Sequence, residues 1–170
     1  MEGVIFVRVE KCLACRSCEI ACALEHSESK ELVPAIAESP RPRPRVSVEE
    51  AGEHAIPLQC RQCEEAPCLK VCPTKAIFRS GPNQPIGIDR RLCIGCKWCV
   101  LACPFGVVRM DNESRLIIKC DMCMERLSRG ERPACVSACP TRALQFRTLA
   151  EIVSEKRKRT SEKFLTEIEK

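Results

Sequence analysis

The sequence contains no tyrosine, and aromatic residues make up only 4% of its 170 residues. Proteins that bind single-stranded nucleic acid usually stack the bases on aromatic side chains, so this composition gives little support to nucleic-acid binding. Histidine is also scarce, since His26 and His54 are the only two. We interpret each histidine as a surface or packing residue rather than as a metal ligand.

Long apolar runs are missing as well. A transmembrane helix needs about 20 consecutive apolar residues, and no stretch of this sequence approaches that length. The first residues lead directly into Lys11 and Cys12 without the apolar core and cleavage site of a secretory signal. We therefore expect a cytoplasmic protein without a transmembrane segment, and peripheral association with a membrane complex is left open.

Sequence motifs of catalysis are absent too. We find no glycine-rich nucleotide-binding fingerprint and no convincing Ser/His/Asp or paired-carboxylate arrangement. We expect no catalytic residues and no substrate site in this chain.

Cysteine, in contrast, is abundant, with sixteen residues. Thiols do not form stable disulfides in a reducing cytosol, so metal ligation is the leading explanation. The cysteines form four groups, each of which opens with C-x2-C and closes with x3-C. The groups are Cys12, Cys15, Cys18 and Cys22 (group one); Cys60, Cys63, Cys68 and Cys72 (group two); Cys93, Cys96, Cys99 and Cys103 (group three); and Cys120, Cys123, Cys135 and Cys139 (group four).

Group three matches a known cluster-binding motif. Its residues 93–104 read C-x2-C-x2-C-x3-C-P, the run with which bacterial ferredoxins bind [4Fe-4S] clusters and whose fourth cysteine ligates the neighbouring cluster. Such runs come in interlocked pairs, so sixteen cysteines predict four [4Fe-4S] clusters with no thiol left for nucleophilic catalysis. Spacing alone does not decide whether group two or group four pairs with group three.

Other residues in the cysteine loops support this prediction only indirectly. Gly95 lets the backbone bend close to a cluster, and we expect Trp98 to shield a cluster from water. Arg16, Arg61 and Lys97 are expected to be solvated.

Zinc binding by a structural module is the alternative, because C-x2-C pairs also form tetrahedral zinc sites. Zinc sites usually combine two such pairs, whereas group three has three cysteines within seven residues and a separate fourth.

Clusters also alter the net charge of the protein. Each oxidised cluster with its four thiolates carries about −2, so four would change the formal net charge of +5 to about −3.

Short apolar and β-branched runs between the cysteine groups predict strands and hairpins. The predicted strands are residues 4–9, 45–49, 54–58, 76–79, 86–89, 107–110, 116–119 and 143–146. Short helical turns are expected after the cysteine runs. Because these pieces cannot form a large core alone, we predict an α+β fold whose small core is built around the clusters.

Two segments lie outside this pattern. Residues 39–45 alternate proline and arginine, which predicts an extended, polyproline-like surface connection; a docking strap for an acidic partner is the alternative. Residues 149–170 combine helical apolar spacing with a charge run, which predicts a charged C-terminal helix with one packed stripe. Membrane-surface or partner binding is the alternative for this tail.

The order of the four groups resembles that of the four-cluster iron-sulfur subunits of molybdopterin reductases, formate dehydrogenases, hydrogenases and carbon monoxide dehydrogenases. The resemblance covers residues 4–146 and is carried by C-x2-C-x4-C-x3-C-P in group two and C-x2-C-x11-C-x3-C-P in group four. Within this family, residues 12–27 are most similar to the ferredoxin-like partner of carbon monoxide dehydrogenase.

This resemblance implies an electron-transfer subunit without enzyme activity. It would relay single electrons from a catalytic oxidoreductase, with carbon monoxide dehydrogenase favoured, to an acceptor such as a hydrogenase or flavoprotein. The alternative is an electron-transfer subunit of a formate dehydrogenase, hydrogenase or molybdopterin oxidoreductase.

The resemblance also implies two nested, bacterial-ferredoxin-like dicluster modules. Residues 1–59 with 111–148 would form the outer module, which includes an inserted loop and hairpin at 30–59, and its first and last strands would meet. Residues 60–110 would form the inner module, followed by the tail at 149–170. The implied ligand sets are Cys12, Cys15, Cys18 and Cys139 (site 1); Cys120, Cys123, Cys135 and Cys22 (site 2); Cys60, Cys63, Cys68 and Cys103 (site 3); and Cys93, Cys96, Cys99 and Cys72 (site 4).

Overall fold

The computed structural model describes residues 3–168. In this range, short strands pair into four two-stranded antiparallel sheets. The strands are β1 (Val4–Val7), β2 (Val46–Ala51), β3 (His54–Gln59), β4 (Ile77–Arg79), β5 (Ile86–Ile88), β6 (Arg109–Met110), β7 (Ile117–Ile118) and β8 (Leu144–Arg147). The helices are α1 (Ser17–Glu25), α2 (Leu32–Ala37), α3 (Pro67–Lys70), α4 (Trp98–Ala102), α5 (Met124–Ser128), α6 (Ala134–Ser137) and α7 (Leu149–Ile168).

Each predicted strand is present, with ends that differ by a few residues. The first strand stops at Val7 because Val9–Lys11 form a single turn of 3-10 helix that leads into Cys12. The β2–β3 hairpin is the longest ladder, with six residue pairs from Val46 with Gln59 to Ala51 with His54. No cysteine loop interrupts this hairpin, so its alternating side chains can pack along its full length.

The first and last strands of the sheet system pair with each other, as the resemblance implies. In the antiparallel β1–β8 ladder, Val4 lies opposite Arg147 and Val7 lies opposite Leu144. Helix α1 also packs against α6. These contacts bring group one and group four together although they are far apart in the sequence.

The buried side chains form two separate cores. The first core contains Ile5, Val46, Val48 and Leu144 together with buried thiols of groups one and four. The second core contains Ile77, Ile86, Val108 and Ile117 together with thiols of groups two and three. Cysteine side chains therefore form part of both cores, as expected for a small α+β protein.

The boundaries of the two modules stay a prediction. Ile117 lies beyond residue 110, the predicted end of the inner module, and still packs into the second core. The β6–β7 hairpin therefore connects the two cores along the chain.

The proline- and arginine-rich segment lies against the rest of the protein. Residues 41–44 have no regular secondary structure, and the Arg109 side chain donates a hydrogen bond to the Pro44 carbonyl. Arg43 lies 3.7 Å from the Glu113 carboxylate. These contacts fit a surface connection, and they leave a docking role untested. Helix α2, in the inserted loop before this segment, was not predicted.

The predicted C-terminal helix is present as α7, but its packed stripe is smaller than expected. Ile152 is the buried residue of this helix, whereas Leu149 is 68% and Val153 is 45% exposed. The helix begins with a capping box in which the Glu151 N–H donates to Thr148 Oγ1 (3.2 Å) and the Thr148 N–H donates to the Glu151 carboxylate (2.8 Å). Among residues 3–168, no helix is long and apolar enough to cross a membrane.

Candidate metal centres

The four C-x2-C loops share one backbone conformation. The residue before the second cysteine has a positive φ in every group: Ala14 (55°), Gln62 (53°), Gly95 (67°) and Met122 (60°). For a residue other than glycine, this left-handed conformation costs about 1–2 kcal/mol. Its recurrence at four equivalent positions indicates that the loops are built for the same purpose.

Gly95 is required by space as well as by its φ. A Cβ atom at this position would lie 2.7 Å from the carbonyl oxygen of Arg115, a distance that side chains do not tolerate. The close neighbour that requires glycine here is the Arg115 backbone, and the predicted approach of this loop to a cluster stays a prediction.

A second repeat follows the last cysteines of groups two and four. The sequences Cys72-Pro-Thr-Lys-Ala-Ile and Cys139-Pro-Thr-Arg-Ala-Leu share a left-handed residue, Lys75 or Arg142, each with φ 56°. The alanine that follows is 1% exposed in both. This duplication is visible in the sequence alone. It indicates that Cys72 and Cys139 occupy equivalent positions in the two halves.

The thiols of the second core converge around two cavities. One cavity is lined by the sulfur-bearing residues Cys72, Cys93, Cys96 and Cys99. The other is lined by Cys60, Cys63, Cys68 and Cys103. In each cavity, three cysteines come from one group and the fourth comes from the end of the other group.

The thiols of the first core show a similar exchange. Burial raises the pKa of the Cys120, Cys123 and Cys135 thiols, to about 12 at Cys123, and the charge of the nearby Cys22 raises all three further. Burial, the Glu19 charge and a smaller contribution from Cys139 raise the pKa of Cys18 to about 11. Cys22 is thus close to three thiols of group four, and Cys139 is close to a thiol of group one.

These thiols fit iron–sulfur clusters by their chemistry. All sixteen cysteines are free thiols, and soft thiolate ligands favour iron–sulfur clusters or zinc. A buried thiolate is unfavourable without a compensating positive charge, which the raised pKa values reflect. Cluster iron supplies that charge when it is bound.

A charged network surrounds the thiol of Cys22. The Arg45 N–H donates to Cys22 Sγ (3.2 Å), and the Arg45 side chain pairs with Asp121. His26 Nδ1 lies 2.7 Å from the Cys22 carbonyl oxygen, and its Nε2 lies 3.3 Å from Asp121 Oδ1. Burial alone would lower the pKa of His26, but the hydrogen bonds to Asp121 and Cys22 raise it to about 9.

This network was not predicted from the sequence. His26, expected to be a surface or packing residue, is partly buried, whereas His54 is exposed. Asp121 is 95 residues away from His26 in the sequence, so no local pattern connects the two. Burial would raise the pKa of Asp121, but its partners His26 and Arg45 hold it well below the usual range.

Two cysteines, Cys15 and Cys96, are exposed, and the other fourteen are buried or partly buried. Each exposed thiol has an exposed apolar residue two positions before it in the sequence: Leu13 (70% exposed) precedes Cys15, and Ile94 (67% exposed) precedes Cys96. Trp98 is itself 62% exposed. It begins helix α4 directly after Lys97, which has a left-handed backbone conformation. That Trp98 shields a cluster from water stays a prediction.

The basic residues of the cysteine loops behave as predicted. Arg16, Arg61 and Lys97 are all exposed. Their charges are therefore screened by water.

The fold and the thiol sets define an iron–sulfur protein, and comparisons with known proteins identify its family. Residues 53–149 match the family described as a 4Fe-4S dicluster domain. An "Iron-sulfur protein" from Rhodospirillum rubrum is 41% identical over 155 residues, which cover 84% of this chain and 80% of the relative. The chain belongs to the 4Fe-4S dicluster family.

Two further relatives are named for electron transfer. The electron transport protein HydN of Escherichia coli K12 is 35% identical over 181 residues, with 95% of this chain and 98% of HydN covered. The thiosulfate reductase electron transfer subunit PhsB of Salmonella typhi is 37% identical over 153 residues, with 84% and 73% covered. The chain is thus an iron–sulfur protein of an electron-transfer family, and its sixteen cysteines hold four [4Fe-4S] clusters.

Proposed function

We propose that this chain relays single electrons through its four clusters between a catalytic oxidoreductase and a second redox protein. In this proposal, the ligand sets are those of sites 1 to 4. The clusters supply one-electron redox chemistry. The chain's own residues bind the clusters, limit their contact with water and set the surrounding charge.

The observation that carries the proposal is the serial arrangement of the thiol sets. Cys18 of site 1 acts on the pKa of Cys135 in site 2, and Cys68 of site 3 acts on that of Cys99 in site 4. Cys60 of site 3 packs against the first core, which contains thiols of sites 1 and 2, and Gln62 of the site 3 loop donates to the Cys120 carbonyl of site 2. These contacts support an order in which each set has the next one as its neighbour, as stepwise electron transfer requires.

The two exposed thiols support exchange at the ends of this series. Cys15 belongs to site 1 and Cys96 belongs to site 4. Exposed apolar residues lie in both loops, Leu13 in that of Cys15 and Ile94 in that of Cys96, and exposed apolar groups are typical of surfaces that bind other proteins. An electron would enter at one end and leave at the other.

For the electron donor, we propose carbon monoxide dehydrogenase, with a hydrogenase or flavoprotein as acceptor. The similarity of residues 12–27 to the ferredoxin-like partner of that enzyme supports this reading. A second candidate is an oxidoreductase such as a formate dehydrogenase, hydrogenase or molybdopterin enzyme. The relative PhsB, which is named as a thiosulfate reductase subunit, favours this candidate.

We propose a cytoplasmic location, because sixteen free thiols suit a reducing compartment.

Anaerobic metal analysis tests the relay itself. We expect about 16 iron and 16 sulfide ions per chain, the content of four cubes, and brown absorbance that bleaches on reduction. Zinc without acid-labile sulfide would contradict the proposal.

The partner is tested separately. Purified carbon monoxide dehydrogenase with carbon monoxide should bleach the clusters at catalytic ratios of the enzyme. If it does not, an anaerobic pull-down with mass spectrometry should identify another oxidoreductase, and that enzyme with its own substrate should bleach the clusters instead.

A further inference from the structure

Lys119 is a buried cation without a carboxylate partner. Its side chain is 1% exposed, and its Nζ donates to the carbonyl oxygens of Ile86 (2.6 Å) and Cys120 (2.7 Å). Across residues 3–168, no Asp or Glu forms an ion pair with it. Burial of an unpaired ammonium is costly, so another negative charge must balance it.

The contacts of Lys119 place it where the two halves of the protein meet. Gln62, between Cys60 and Cys63, donates through Nε2 to the same Cys120 carbonyl (2.9 Å). Its Oε1 accepts a hydrogen bond from the N–H of Ile86 (2.8 Å). Lys119 therefore joins the start of group four to strand β5, and Gln62 joins the loop of group two to the same two residues, Ile86 and Cys120.

The Lys119 charge affects the pKa of thiols on both sides of this junction. Burial raises the pKa of Cys68 in site 3 and of Cys120 in site 2, and the Lys119 ammonium opposes that increase in both. An ammonium has three N–H donors, and the two carbonyls use only two. Each oxidised cluster with its thiolates carries about −2, so sites 2 and 3 would supply the missing negative charge.

We propose that Lys119 is a fixed counter-charge shared by the clusters at sites 2 and 3, which raises the reduction potential of both. The inference rests on the proposed function because it uses the ligand sets of these sites. Bound clusters would supply the one-electron chemistry, and the positive charge of Lys119 would favour the reduced form of each cluster because that form is more negative.

The test is a redox titration of the intact, cluster-loaded protein, followed by EPR spectroscopy. Lys119→Met removes the charge at similar length, Lys119→Arg keeps it, and Lys163→Met removes an exposed lysine of helix α7, outside the cysteine loops, as the matched control. In Lys119→Met, we expect the reduction equilibria of two of the four clusters to shift at least tenfold toward the oxidised form, about 59 mV for one electron. In the other two variants, the shift should stay below about threefold, because charge is retained in one and screened by water in the other.

Each other outcome is also decisive. Four loaded clusters with unchanged potentials in Lys119→Met would overturn the inference. If this variant instead loses about eight iron ions, two cubes' worth, while Lys119→Arg retains them, a positive charge is needed to hold two anionic clusters and the inference stands. Loss in both variants would mean that Lys119 matters only for packing, which overturns it.

Failure of this inference is distinguishable from failure of the proposed function. The wild-type iron and sulfide content tests the relay without any variant. If the wild-type protein holds four clusters and their potentials stay the same in Lys119→Met, only the role of Lys119 is refuted.

Discussion

Five thiols of groups one and four are buried, whereas Cys68 and Cys99 are the buried thiols of groups two and three. The difference follows from the inserted hairpin β2–β3. Its residues Val46 and Val48 pack into the first core beside the thiols of sites 1 and 2. The second core is covered by the shorter hairpins β4–β5 and β6–β7, and each half has one exposed thiol, Cys15 or Cys96.

The two halves also differ in the polar groups near their sulfurs. Site 2 has the Arg45 N–H on Cys22 and the neighbouring pair of His26 and Asp121. At site 4, burial alone would raise the pKa of Cys72. Hydrogen bonds, among them those from the backbone N–H groups of Ile77 and Ala76, outweigh burial, so the pKa of this thiol is lowered. The outer half thus combines deeper burial of its thiols with ion pairs, whereas electron exchange is proposed at one exposed thiol in each half, Cys15 and Cys96.

The largest expected effect comes from the cysteines that cross between groups. Cys22→Ser should damage the cluster of site 2, with loss of about four iron ions, because this residue lies near the thiols of group four. Alkylation followed by peptide mass spectrometry should then label Cys120, Cys123 and Cys135. Cys72→Ser is the matched change in the inner half and should instead expose Cys93, Cys96 and Cys99. Labelling confined to each variant's own group would refute the exchange of ligands.

The next effect concerns the ion pairs of the outer half. Asp121→Asn leaves the Arg45 and His26 charges largely buried without a carboxylate, which should lower the free energy of unfolding by about 1–3 kcal/mol. Chemical denaturation followed by cluster absorbance measures this loss. Asp89→Asn is the control in the inner half: its partner Arg91 is 89% exposed, so no measurable change is expected. Equal losses in both variants would remove this difference between the halves.

An effect of the same size is expected where two C-x2-C loops, one in each half, are compared. Gly95→Ala should destabilise the protein by about 1–3 kcal/mol, since its Cβ meets the Arg115 carbonyl and its φ is positive. Ala14→Gly changes the equivalent residue of group one, where alanine already adopts φ 55°, and should change stability by less than about 1 kcal/mol. The thermal midpoint of cluster absorbance measures both. A stable Gly95→Ala variant would show that the Arg115 backbone moves aside.

The smallest effect is expected at the exposed apolar residues. Trp98→Ala in the inner half and Leu13→Ala in the outer half should each change the free energy of unfolding by less than about 0.5 kcal/mol, because both side chains face solvent. The same thermal measurement applies. A clear loss of cluster stability in Trp98→Ala alone would show that this side chain does shield a cluster.

The sequence by itself determined the cofactor chemistry and most of the local structure. Three cysteines within seven residues already specify a cube, because ligand spacing inside one loop does not depend on the rest of the fold. The strands next to the loops were also predictable, since alternating residues such as Val46 and Val48 carry a local signal. The ends of these strands were not predictable from the sequence. Strand β1, for example, ends before a 3-10 turn that depends on where Cys12 must lie.

Only the tertiary structure decided which distant residues meet. It brings Cys72 into the cavity of group three, and it joins His26 to Asp121 across 95 residues. It also buries Lys119 and exposes Trp98. Residue type alone would have predicted an exposed lysine and a buried tryptophan. The physical reason is that burial and charge pairing depend on how the two cores pack, which spacing along the chain does not encode.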